Sequence, residues 1–259
     1  MAAGPIGRNP HRPSRVRKPG VAMARFSRLV TTLLAATSLL GVAAAADEFD
    51  AYFSDIGILQ LKPVQQELKV TEGQRLAMNK HADWLNAQSQ AINTQVRSGK
   101  TKPEDANRLM VGHLSSLKKK VLAELTAPQV KRLREITLQR DGLLPLLDKR
   151  MADRIGMTVA QSKKLRDAYE ADNRKANDIQ TKALKPIVDK YAAMKPKDAA
   201  ERKRLEEQGN KEIEAANAKI KPQLEQIVKD FKALVESTLS KGQKDDFEKL
   251  KGVPFKLSG

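Results

Sequence analysis

The sequence predicts an all-α fold made of extended antiparallel helical hairpins, without a β-sheet. Charged residues make up 31% of the 259 residues and aromatic residues only 4%, a composition that favours solvated helices over a β-sandwich. Apolar residues recur at three- and four-residue steps, whereas the alternation that strands need is absent. Proline and glycine fall mainly at the junctions between these periodic segments, where they end helices.

The first 46 residues have the pattern of a secretory signal peptide. A basic stretch from Met23 to Arg28 precedes the apolar run from Leu29 to Val42, and small residues then lead to Ala46. This order predicts cleavage after Ala46 and places the remaining chain in the periplasm, or otherwise outside the cytoplasm. Residues 1–22 are rich in Pro and Arg. We interpret Met23 as the true initiator, with residues 1–22 included because the start site was assigned upstream of it, rather than as an extended leader.

Much of the basic charge lies in this leader. The whole chain carries 48 Lys and Arg against 31 Asp and Glu, a net charge of +17, but residues 1–46 contribute seven basic residues and no acidic one. The remaining 213 residues therefore carry +10. Because aromatic side chains for base stacking are also scarce, we expect no nucleic-acid partner. No later segment has the length and hydrophobicity of a membrane span, so we expect no transmembrane segment in the exported chain.

The exported chain divides into two helical halves, residues 47–150 and 151–259. In the first half, Thr101 and Glu104 have the spacing of a helix cap. In the second half, two long helices joined by a short turn must lie antiparallel and form the longer hairpin. The expected helices run from Gln74 to about Val96, from the Thr101 cap through Leu122, from Thr126 to the loop at Gly142, from about Val159 to Met194, and from the Asp198 cap through Leu234.

One short pattern occurs four times: an apolar residue, a hydroxyl residue, two variable residues and a glutamine. This spacing is that of a capping box, in which the hydroxyl accepts a hydrogen bond from the third helical N–H and the glutamine reaches back to the N–H of the cap. The first two copies lie 55 residues apart and the last two 82 apart, which indicates a tandem duplication with a longer second hairpin. The residues concerned are Thr71 and Gln74, Thr126 and Gln129, Thr158 and Gln161, and Ser240 and Gln243.

The pattern resembles the Leu-Thr-x-x-Gln repeat of the LTxxQ-motif (Spy/CpxP-like) family of bacterial periplasmic proteins; residues 67–74 and 125–133 look typical of it. The resemblance implies an exported all-helical protein, a cradle-shaped antiparallel dimer of long bent helices, and the activity of an ATP-independent chaperone or envelope-stress adaptor. Family members usually carry two copies of the motif in a shorter chain. With four copies here, two fused halves can form the cradle within one chain.

The sequence contains no catalytic or cofactor-binding pattern, so we predict that the protein is not an enzyme and holds no cofactor or metal. Cysteine is absent. The two histidines after the leader, His81 and His113, lack the spacing of zinc ligands. Carboxylates are interleaved with Lys and Arg, as in residues 201–207, which is typical of solvated helix faces.

These observations predict a non-catalytic exported protein that binds unfolded or envelope proteins on a basic helical surface, with a homodimer as one possible assembly. Basic side chains speed encounter, and flexible apolar side chains tolerate varied partners. For Trp84, core packing is the stronger alternative, because it lies on an apolar stripe. The candidate contact residues are Lys118, Lys119, Lys120, Met78, Trp84 and Met110.

Two other functions stay open at this point. A metal-responsive or metal-buffering envelope protein would have to bind metal through His81, His113 and carboxylates, and weakly. A structural scaffold would contact an envelope partner through the hairpin at residues 159–239.

Overall fold

The computed structural model describes residues 47–256, and these residues form nine α-helices and two short 3₁₀ helices without a strand. The all-α prediction is confirmed. The predicted signal peptide and its cleavage site after Ala46 involve residues outside the described part. The α-helices are α1 (Glu48–Phe53), α2 (Lys62–Glu67), α3 (Glu72–Arg97), α4 (Pro103–Ala123), α5 (Ala127–Asp141), α6 (Lys149–Arg154), α7 (Val159–Ala192), α8 (Ala199–Thr238) and α9 (Lys241–Lys251).

Two helical hairpins account for most of the described chain. In the first, α3 and α4 are joined by residues 98–102; in the second, α7 and α8 are joined by residues 193–198. Side-chain pairs across each hairpin show the antiparallel arrangement. The rings of Trp84 and His113 lie 5.4 Å apart in the first hairpin, and those of Tyr169 and Phe231 lie 5.7 Å apart in the second.

The start of α4 differs from the prediction. Thr101 does not cap the helix; its hydroxyl donates to Oε1 of Gln95 on the preceding helix instead. The N-cap is Lys102, which provides no side-chain hydrogen bond, and Pro103 occupies the first helical position. Proline is favoured there because its missing N–H would be unsatisfied in any case. The helix therefore begins one residue later than the Thr101–Glu104 spacing predicts.

Two hydrophobic clusters form the core of the described chain, and the second draws on side chains from both halves. The first contains Val64, Leu68, Val121, Leu125 and Val130 among its buried members. The second gathers side chains from α6, α7, α8 and α9. Its buried members include Met151, Ile155, Leu165, Phe231, Val235 and Phe247.

Helix α5 belongs to both clusters. Its Leu133 and Ile136 pack in the first cluster, and Leu138 packs in the second. The same helix contacts α1, α9 and the 3₁₀ helix Leu144–Leu147. The two halves expected from the sequence are thus recognisable in the chain order, but they share α5 as a common element of their cores.

A buried arginine on α5 holds both ends of the described chain. Arg134 is only 3% exposed. Its Nε donates to Asp50 Oδ1 of α1 at 2.9 Å, and its Nη1 donates to the backbone carbonyl of Leu250 in α9. A charge buried with its partners is costly to leave unpaired, because neither water nor another counterion replaces the lost group.

Replacing this arginine tests how strongly α1 and α9 depend on it. We expect Arg134→Met to lower the free energy of unfolding by about 3–5 kcal/mol, since Asp50 and the Leu250 carbonyl lose a charged donor. Chemical denaturation measures the change. Arg166, exposed on α7 and without an ion pair among residues 47–256, gives the matched control: Arg166→Met should change stability by less than about 0.5 kcal/mol. Equal effects of the two substitutions would contradict the assignment.

Candidate functional site

All four motif copies begin a helix. Thr71, Thr126, Thr158 and Ser240 are the N-cap residues of α3, α5, α7 and α9. Each glutamine side chain accepts the N–H of its own cap, at distances from 2.8 to 3.0 Å. In the second copy the Thr126 hydroxyl also donates to Gln129 Oε1, at 3.1 Å.

The glutamines also bind each other in pairs. In the first half, Gln74 Nε2 donates to Gln129 Oε1 at 2.8 Å, and Gln129 Nε2 donates to Gln74 Oε1 at 3.1 Å. In the second half, Gln161 and Gln243 exchange the same two hydrogen bonds at 3.0 Å each. Copy one is thus joined to copy two, and copy three to copy four. We call each such pair a glutamine clasp.

Each clasp also binds the ends of the preceding helices. Gln74 Nε2 donates to the carbonyl of Glu124 at 2.8 Å, and Gln129 Nε2 donates to that of Leu68 at 2.9 Å. The second clasp repeats this with the carbonyls of Thr238 and Gly156, at 2.8 and 2.7 Å.

Every amide in a clasp therefore uses both of its N–H donors and accepts at least two hydrogen bonds at its oxygen, which satisfies its full capacity. Glutamate has no donors when ionised, so it could cap its own helix but could form neither the pair nor the carbonyl contacts. This explains why glutamine occupies all four positions, a regularity that helix capping alone leaves unexplained.

The turn before the first motif of each half is also repeated. Lys69 and Gly156 both lie two residues before the hydroxyl residue, and both have positive φ, 50° and 68°. Each turn ends a helix with the same six-to-one hydrogen bond, from Val70 N to Gln65 O and from Met157 N to Ala152 O. The second half thus repeats the turns, caps and clasp of the first; the tandem duplication inferred from the motif spacing stays a prediction.

The three predicted contact lysines do not share one surface. Successive residues of a helix point about 100° apart, and Lys118, Lys119 and Lys120 have different surroundings. Lys118 is half-buried and donates to the Tyr52 carbonyl at 2.6 Å. Burial lowers its pKa, and the nearby Asp55 carboxylate offsets part of that effect. Lys120 Nζ lies 3.8 Å from the centroid of the Trp84 ring. Lys119 is exposed and has no ion pair within the described part of the chain.

The predicted apolar contacts are also partly engaged. Trp84 is half-buried between the two helices of the first hairpin, with His113 edge-on to its ring. Met78 packs against the first core cluster. Met110 is half-buried on α4. The six residues chosen from the sequence are therefore brought to the same hairpin but not to one continuous exposed patch.

A different feature of this hairpin was not recognised from the sequence. Residues 84–96 of α3 and 109–117 of α4 contain no Asp, Glu, Lys or Arg. The Trp84–His113 contact shows that these segments lie side by side. We call them together the uncharged band. Three of its large apolar side chains are exposed: Leu109 by 45%, Val111 by 67% and Leu114 by 48%.

The second hairpin has the opposite character. Its exposed faces carry Lys–carboxylate pairs one helical turn apart along their length, such as Lys163 with Asp167 and Lys221 with Glu225. A search of the sequence for uncharged runs opposite one another in a predicted hairpin would have found the band.

The titratable groups form ion pairs rather than a converging site. His81 Nε2 lies 2.8 Å from Glu124 Oε1 across the first hairpin. Burial opposes ionisation of Asp55, but hydrogen bonds from Arg140 and the Gly57 N–H outweigh it and hold the pKa of Asp55 below its ordinary value. Within residues 47–256, no group of three or more His, Asp or Glu side chains has the arrangement of a metal site.

No described helix has the length and apolar character needed to cross a membrane. Comparison of the chain with protein-family models, with curated proteins and with solved structures finds no match. The resemblance to the LTxxQ-motif family consequently depends on the four short motifs.

The clasp can be tested by a single charge change. We expect Gln243→Glu to lower the free energy of unfolding by about 2–4 kcal/mol near neutral pH, because Gly156 O and Gln161 Oε1 both lose their donor. Protonation of the introduced carboxyl restores one donor, so its pKa should be raised in the folded state and the loss should shrink as pH falls. Urea denaturation across pH measures both effects.

Gln180 provides the control for this substitution. It is exposed on α7 and forms no hydrogen bond among the described residues, so Gln180→Glu should change stability by less than about 0.5 kcal/mol. A Gln243→Glu protein as stable as this control at neutral pH would contradict the role given to the clasp.

Proposed function

We propose that this protein is an exported, non-catalytic, ATP-independent chaperone of the LTxxQ type, which holds unfolded polypeptides on the uncharged band. The observation that carries this proposal is the exposure of Leu109, Val111 and Leu114 within a band that lacks charge, in a chain in which 31% of residues are charged. Exposed apolar groups that adjoin one another in this way are typical of protein-binding surfaces.

The band offers weak contacts that do not require one partner shape. Val111 and Leu114 are three residues apart, so their side chains are neighbours on one side of α4. The remaining positions of the band are rich in Ser, Gln, Asn and Ala, which provide hydrogen bonds without the cost of removing ions from water. A segment of an unfolded chain can therefore bind there without a specific sequence.

Basic residues on both sides of the band favour encounter with acidic, unfolded chains. Lys119 lies beyond one end, while Lys100 and Lys102 lie in the loop beyond the other. Long-range attraction of this kind increases association rates and weakens as salt is added. These residues replace Lys118 and Lys120 as the proposed electrostatic contacts, since the latter two are engaged within the protein.

Light scattering of a denatured client protein tests the proposal. We expect equimolar protein to suppress aggregation at low salt, and Val111→Asn with Leu114→Asn to remove most of the suppression, because the main exposed apolar pair is lost. The matched control is Val188→Asn with Val228→Asn on the second hairpin, whose side chains are similarly exposed, by 53% and 68%. This control should suppress aggregation as the unaltered protein does.

Two results would contradict the proposal: unchanged aggregation in the presence of the unaltered protein at low salt, or equal suppression by the band variant and the control. The metal-buffering and scaffold alternatives, and the homodimer, stay predictions from the sequence. None of them is favoured by a specific contact among residues 47–256.

A further inference from the structure

The end of the second hairpin carries an apolar groove that the proposed function does not use. The groove has a volume of about 740 Å³ and lies between the last turns of α7 and the first turns of α8. Its apolar lining includes Ile187, Val188, Tyr191, Met194, Leu205 and Ile213. Val188 is 53% exposed and Met194 is 37% exposed.

A glycine inside α8 allows the two helices to approach closely at this groove. Gly209 is buried, and a Cβ atom at this position would lie 3.4 Å from the ring of Tyr191. The Tyr191 hydroxyl is held by Glu212 Oε1 at 2.8 Å. Glycine in a helix interior costs about 1 kcal/mol relative to alanine, so the close packing that it permits offsets a loss of helix stability.

The cations beside this groove have no carboxylate partner among the described residues, whereas the lysines near the end of α7 do. Lys182, Lys185 and Lys190 each contact a carboxylate within 2.7 Å. By contrast, Lys195 and Lys197 in the connecting segment have no carboxylate partner among the described residues. The same holds for Arg202, which lines the groove.

Acidic groups nearby reduce this charge but do not cancel it. Glu206 also lines the groove, while Asp198 and Glu201 are engaged at the start of α8, where each accepts a backbone N–H. Residues 195–207 contain five basic and four acidic side chains, a net charge of +1, and Lys203 is paired with Glu207 at 3.8 Å. An anionic partner with an apolar part would complement this combination.

We propose that the end of the second hairpin binds the surface of an anionic lipid bilayer. Met194, in the segment that joins the two helices, enters the apolar boundary of the bilayer, and Lys195, Lys197 and Arg202 contact the anionic headgroups. Apolar side chains adjoining basic ones at an exposed position are the combination that attaches proteins to such surfaces. A lipid surface fits better than a polypeptide, because the free cations lie at the very end of the hairpin, where a flat surface reaches all of them together.

Co-sedimentation with vesicles tests this directly. Protein purified after expression of the full chain is mixed with phosphatidylglycerol–phosphatidylcholine vesicles or with pure phosphatidylcholine vesicles at low salt. We expect binding to the anionic vesicles only. Each lysine near such a surface contributes about a fivefold increase in partitioning, so Lys195→Gln with Lys197→Gln should weaken binding about 25-fold.

The first hairpin provides a control in which the same number of lysines is removed from a loop. Residues 97–108 carry a net charge of +2, from four basic and two acidic residues, and Lys100 and Lys102 lie in the loop there. Lys100→Gln with Lys102→Gln removes the same charge and should alter binding by no more than about twofold, because distant charges are screened.

Insertion is measured separately, using the absence of cysteine from the chain. Met194→Cys carrying an environment-sensitive fluorophore should shift to shorter wavelength with anionic vesicles, whereas the same label on Lys100→Cys should not shift. Equal binding losses for the two lysine pairs, equal shifts for the two labels, or a Met194→Cys shift with an unfolded polypeptide and none with vesicles would overturn the proposal. The result is distinguishable from that of the chaperone test, because the vesicle experiments measure lipid binding without a client protein and leave Leu109, Val111 and Leu114 unaltered.

Discussion

The paired glutamines are the interaction on which the rest of this structure depends. Each clasp joins the starts of two helices that lie 55 or 82 residues apart in the chain, and it does so at the base of a hairpin. The hydrogen bonds of each amide all go to protein atoms: its own cap, its partner glutamine and the end of the helix that precedes the partner's helix. Such a neutral, fully satisfied network specifies one arrangement, since any shift of register would leave several half-buried polar groups without their protein partners.

Because the clasps fix the helices at the base of each hairpin, the two hairpins can differ in length and in surface chemistry beyond that base. The cores lie near the clasps and around α5, whereas Ile92 is the only buried side chain described for α3, and Ser162 and Leu165 are the only ones for α7. Length and surface chemistry far from the base therefore have little effect on the core. This is consistent with the presence, in one chain, of a short hairpin with an uncharged band and a longer hairpin covered with ion pairs.

The sequence predicted the helices and their caps well because both depend on local patterns. Apolar spacing located α3, α4, α5, α7 and α8, and the hydroxyl–glutamine spacing located four N-caps. Prediction from the sequence failed where the outcome depends on contacts with residues outside the local pattern. Thr101 has the spacing of a cap, but Gln95 across the turn takes its hydroxyl and Pro103 sets the start of α4. Lys118 belongs to the densest basic block, yet the fold directs it to the Tyr52 carbonyl. The pairing of the glutamines was not predicted, because helix capping alone gives no reason why glutamine and not glutamate occupies all four positions.

The neutrality of the clasp also suits the composition of this chain. Lys–carboxylate pairs are frequent on the exposed helix faces of the described chain, and such exposed ion pairs contribute at most about 1 kcal/mol each, so exchange among them costs little. A helix start held by a carboxylate would compete with those alternatives and would weaken on protonation. An amide pair has neither weakness: it carries no charge to attract a lysine, and it does not titrate, so its hydrogen bonds do not depend on pH. Surface charge can consequently vary between the two hairpins without altering which helices are joined.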